Sequence, residues 1–115
     1  MSSGQDLYNE QMDLIEQLFA AIKKLHKNGR EKCVADSDYQ IKKAEVELRM
    51  LDEGKKITLI SDIIRGVQPV ADLRLRRDIA EVVYDTNLQY IYALKKKMDI
   101  IENQIAHEYG ATKYE

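Results

Sequence analysis

The sequence predicts an all-α fold: an antiparallel helical hairpin, a short connecting helix and one long C-terminal helix, assembled as a helical-bundle or coiled-coil oligomer. Three observations predict it. One helical pattern runs without interruption from Pro69 to Tyr109 and is closed by Gly110, in a chain of only 115 residues. The composition suits helices, with 44% apolar and 33% charged residues, a single proline and five glycines. Within the long segments, apolar residues recur at alternating spacings of three and four, the period of one helix face. At about 1.5 Å per residue the last helix would be roughly 60 Å long, whereas a compact monomer of this size has a radius of gyration of about 13 Å. Part of its apolar surface is therefore expected to meet another copy.

Residues 1–115 are expected to form a single helical domain. The first predicted helix spans residues 5–27. Tyr8, Met12, Ile15, Phe19 and Ile22 form its stripe, and Leu7, Leu14, Leu18 and Leu25 widen that stripe into a face broad enough for two neighbours. Its acids Asp6, Glu10, Asp13 and Glu16 come early and Lys23, Lys24 and Lys27 late, which complements the helix dipole. Asn28 and Gly29 tolerate a left-handed conformation and are expected to end it. A second helix is predicted over residues 30–53, with Val34, Ile41, Ala44, Leu48 and Leu51 on its apolar stripe and Gly54 at its end. The connection at Asn28 and Gly29 is so short that these two helices are expected to pair as the hairpin.

Residues 55–68 break that rhythm. Thr58 is placed to cap a short helix over residues 59–65, and Ile57, Leu59, Ile60, Ile63 and Ile64 are too apolar for a free linker, so the insert must pack on something. Pro69 suits the first turn of the long helix, residues 69–109, where its missing N–H costs nothing. Along that helix Tyr84, Asn87, Ile91, Leu94, Met98, Ile101 and Ile105 keep a three-four spacing and form the expected oligomer interface, with Asn87 as the polar member that sets register. Residues 111–115 read as a short polar tail.

The sequence holds no catalytic signature: no phosphate loop, no nucleophile elbow and no zinc motif. His26 and His107, the only histidines, fall at predicted helix ends and have no ligand partner at metal-binding spacing, so neither metal nor cofactor is expected. The single Cys33 excludes an intramolecular disulfide framework, suits a reducing compartment and reads as an inert, partly buried thiol. The opening residues lack the blocks of a signal peptide and no apolar run is long enough to span a bilayer, so a cytoplasmic protein is expected, without membrane contact.

Near-neutral charge, 18 basic against 20 acidic residues, excludes a general affinity for polyanions. One stretch departs from it. Between positions 55 and 77, Lys55, Lys56, Arg65, Arg74, Arg76 and Arg77 meet only Asp62 and Asp72, six charges against two, for a net charge of plus four. Lys55, Lys56, Arg65, Arg74 and Arg77 form a candidate site for a phosphate-bearing ligand or an acidic partner surface, set against the plainer reading of solvated faces and helix pairs such as Arg77 with Glu81. Lys95, Lys96 and Lys97 wrap around the helix and read as solubilising.

The run Leu51-Asp52-Glu53-Gly54, then Ile57-Thr58-Leu59-Ile60, Arg65-Gly66, the stretch from Leu73 to Asp78 and the ending Ile101-Glu102-Asn103-Gln104-Ile105 resemble small uncharacterised α-helical proteins of phages and prophages of Gram-positive bacteria. The resemblance covers roughly residues 40–110 and implies a genomic context and a fold, with no catalytic residue attached. In that context the chain is expected to be a non-enzymatic accessory protein acting by binding, one that inhibits host defence by blocking a protein or sequestering a nucleotide signal, in the host cytoplasm. Alternatives are a nucleic-acid-binding accessory factor in phage replication, recombination or transcription, and a structural assembly protein in which the arginines matter only for solubility.

Overall fold

The computed structural model describes residues 4–114, with side-chain surroundings described for residues 4–110. It contains α1 (Gly4–Asp52), α2 (Ile57–Ile63), a 3-10 turn (Ile64–Gly66) and α3 (Gln68–Tyr114), with no strand among the described residues. The protein is all-α. These elements build two compact units, the first from the described residues of Met1–His26 and Thr86–Glu115, the second from Lys27–Asp85.

One 49-residue helix replaces the predicted helices 5–27 and 30–53 and the hairpin between them. The predicted break fails at Gly29 for a packing reason. A Cβ built on Gly29 would lie 3.3 Å from Cε2 of Tyr84, so the glycine gives the Tyr84 ring a place against the backbone of α1. A helical glycine costs about 1 kcal/mol of propensity, and the ring contact and an unbroken buried stripe offset it. Gly110 likewise lies inside α3 and ends nothing, and the predicted tail is helical through Tyr114, Glu115 lying outside the described residues.

In the first unit α1 and α3 pack antiparallel. Leu14 and Ala21 are buried against Ile91, Leu94 and Ile101, with Leu18, Leu25, Met98 and Ile105 closing around them. The leucine stripe is thus the buried one. Tyr8, Met12, Phe19 and Ile22, read from the sequence as the centre of the apolar face, are exposed. A face wide enough for two neighbours has found one. The register is held by Asn87, only 8% exposed, whose Nδ2 donates to the Ala21 carbonyl at 3.2 Å, and by the Tyr90 hydroxyl, which donates to Gln17 Oε1 at 3.4 Å.

The second unit is closed by the insert. Ile60 and Ile64 pack onto Tyr39, Val46, Met50 and Val70, joined by Val67 and Leu73. The predicted stripe of Val34, Ile41, Leu48 and Leu51 is exposed, whereas Ala35, Tyr39, Val46 and Met50 are buried. Because α1 is continuous, its inner positions in this unit extend the three-four spacing that begins at Leu7, and that phase selects the neighbouring stripe. The short helix also starts earlier than predicted: Lys56, in extended conformation without a side-chain cap, precedes it, so Thr58 lies within α2 and does not cap it. Lys56 contributes its carbonyl, which accepts from Ile60 N at 3.0 Å. Pro69 occupies the first turn of α3, where proline is pre-organised for a helix.

Gly54 ends α1 as predicted, at a φ of 84°. Its N–H donates to the Leu51 carbonyl at 3.0 Å and the Lys55 N–H to the Met50 carbonyl at 3.1 Å, the paired bonds of a Schellman cap. Gly54→Ala should cost about 1–2 kcal/mol through left-handed strain alone, since nothing lies within 4 Å of the added Cβ. Urea unfolding beside Gly66→Ala, equally open but not at positive φ, checks this; equal midpoints would contradict it.

Candidate functional site

The basic residues of positions 55–77 all fall in the second unit, and the described contacts draw none of the five candidates together. Lys55 Nζ lies 3.5 Å from Glu53 Oε2. Arg77 is held within the chain: Nη2 and Nε donate to Asp78 Oδ1 at 3.0 and 3.1 Å, and the guanidinium lies over the Tyr39 ring, 4.3 Å from its centroid. Its acid partner is therefore Asp78, the adjacent residue, and not Glu81. The Asp78 hydrogen bond raises the Arg77 pKa above the ordinary guanidinium value, partly opposed by desolvation. Lys56 and Arg65 are exposed and Arg74 half-buried, and these three form no ion pair among the described residues.

Arg76 lies on a different surface. With Arg30, Glu31, Val34, Ala35, Ile79, Ala80 and Val83 it lines a groove of about 390 Å³. Val34, Ile79 and Val83 are exposed along it. The lining thus combines aliphatic side chains with three charged ones.

No cluster of three or more histidine, cysteine or carboxylate side chains among the described residues could hold a metal ion. His26 is exposed in mid-helix, since α1 does not end where the sequence placed its end. His107 is exposed at the edge of a groove with Glu10, Ile100 and Glu108 in the first unit. Cys33 is exposed, not partly buried as expected, and the neighbouring Lys32 turns its ammonium onto the Tyr84 ring, 4.7 Å from the centroid.

The residues assigned to an oligomer interface face inward. Ile91, Leu94 and Ile101 are buried and Met98 and Ile105 are packed around the same core; Asn87 bonds to α1 of its own chain and Tyr84 packs on Gly29. The heptad was read correctly as a helix-on-helix seam, but its partner is α1 and not a second copy. The sequence reading did not anticipate which surface this leaves open: Tyr8, Met12, Phe19 and Ile22 in the first unit, Val34, Ile79 and Val83 in the second. For the first unit the signal was the double stripe on residues 7–25, two apolar rows one residue apart, of which a single neighbour covers one.

Among the described residues no helix is long and apolar enough to cross a membrane. No protein-family model matches the chain, and no curated protein or solved structure matches it.

Proposed function

We propose that this chain is a non-enzymatic phage accessory protein that acts by binding, as a homo-oligomer, and that it engages a host protein through an exposed helix surface. The observation that supports it is the groove of Val34, Ile79 and Val83: exposed large aliphatic side chains that share the groove's lining with Arg30, Glu31 and Arg76. Continuous apolar patches of this kind are uncommon on monomers without a partner. The phage setting comes from the sequence resemblance alone. Sequestration of a nucleotide is the second form of the same reading, with Lys56, Arg65 and Arg74, which form no ion pair among the described residues, as the cations available to it.

The test is purification from a Gram-positive host beside the variant Ile79→Glu/Val83→Glu, with circular dichroism to establish that the variant remains helical. One host protein retained in fixed stoichiometry by the wild type and lost from the variant is the expected result. Identical retention by both proteins would overturn the groove as the site. If instead the wild type retains no protein and binds DNA with an affinity that falls steeply with salt, the nucleic-acid alternative replaces this one.

A further inference from the structure

Asn87, Ile91, Leu94, Met98 and Ile101 on α3 meet Leu14, Leu18, Ala21 and Leu25 on α1 along one seam of the first unit. Gln17 and Tyr90 each immediately precede a seam residue, and their side chains meet across the helices. Positions preceding the seam therefore share one side of the helix pair. Positions following it share the other side: Ile15, Phe19, Ile22 and His26 on α1, with Met12 one turn before them, and Leu88, Tyr92, Lys95, Asp99 and Glu102 on α3, so the apolar part of this side is Met12, Ile15, Phe19 and Ile22 with Leu88 and Tyr92. Phe19 is 67% exposed. Met12, Ile22 and Tyr92 are exposed as well, and Ile15 and Leu88 are half-buried.

We infer that this face is a two-fold interface on which a second copy of the chain packs, α1 against α1 in antiparallel orientation near Phe19, to complete a four-helix layer. The inference rests on the oligomeric part of the reading above and replaces the seam residues with a surface that is free to take part. Charge points to a second copy rather than to an unrelated partner. Asp13 and Glu16 directly follow Met12 and Ile15 in the N-terminal half of the stripe, and Lys23 directly follows Ile22 in its C-terminal half, so all three share one edge. Antiparallel copies set the acidic half of one along the basic half of the other, with Glu16 near Lys23 of the second copy, whereas parallel copies oppose like charges. A surface complementary to itself under a two-fold rotation is the mark of an isologous contact.

Sedimentation velocity of the full chain, wild type and variants, tests this. The wild type is expected to dimerise or to form a higher even-numbered oligomer. Phe19→Glu should raise the dimer Kd by at least about 100-fold by burying an unpaired charge, with helicity by circular dichroism unchanged because Phe19 is exposed within its own chain. Lys23→Glu should weaken association and the double variant Glu16→Lys/Lys23→Glu should restore it. A wild type that stays monomeric at high micromolar concentration would overturn both the interface and the oligomeric reading. An oligomer indifferent to Phe19→Glu would overturn this surface alone. Failure of the double variant to recover would overturn the antiparallel pairing.

Discussion

Gly29→Pro should cost at least about 3 kcal/mol and lower the unfolding temperature by roughly 10–20 °C. Proline at this point removes a main-chain hydrogen bond from the middle of α1, drives its ring into the preceding turn, and adds bulk where the Tyr84 ring already lies 3.3 Å from a built Cβ. Gly29→Ala is the informative comparison. Its gain in helix propensity, about 1 kcal/mol, is set against a ring that must give by a few tenths of an ångström, so the net change should be small. Thermal unfolding followed by circular dichroism reads both. If proline were tolerated within a degree or two, Asn28 and Gly29 would be the chain reversal that the sequence suggested, and the continuous helix would be wrong.

Tyr39→Ala should destabilise the second unit by about 3–5 kcal/mol, the usual range for emptying an aromatic site in a core. Tyr39 is only 3% exposed and does two things there: it packs on Val46, Met50, Ile60 and Ile64, and its outer face receives the Arg77 guanidinium. Tyr39→Phe keeps both and should change stability by less than about 0.5 kcal/mol. Arg77→Met should cost no more than about 1 kcal/mol, since a stacked cation that keeps some water contact contributes little more. Urea midpoints for the three variants give the order, and a Phe variant as damaging as the Ala variant would show that the hydroxyl, not the ring, is what the unit needs.

The heptad from Tyr84 to Ile105, the Gly54 cap, the packing of the insert and the place of Pro69 were all legible because each depends on local chemistry: spacing, a positive φ, a run of isoleucines, a missing N–H. The errors arose where a local preference met a distant contact. Asn28-Gly29 has the chemistry of a helix end, and only the Tyr84 ring, contributed by a residue far along the chain, makes it a helix interior. Once the break was assumed, the two halves of α1 could be phased separately, and Val34, Ile41 and Leu48 looked better buried than Ala35, Tyr39 and Val46. The heptad on α3 announced a partner helix without saying whose, so a second copy was assigned the place that α1 occupies. Of the candidate anion site, the charge excess was visible; that Arg77 is committed to Asp78 and Tyr39, and Lys55 to Glu53, depends on geometry that no spacing rule contains.

The insert also joins α1 to α3 by the shorter of two loops. Val46 and Val70, which meet in the second unit, are about two dozen positions apart, whereas Asn87 and Ala21 are separated by 66. Closing the larger loop first costs about 1 kcal/mol more in chain entropy. Loop entropy alone therefore makes contacts around the isoleucine-rich insert the cheaper ones to form first.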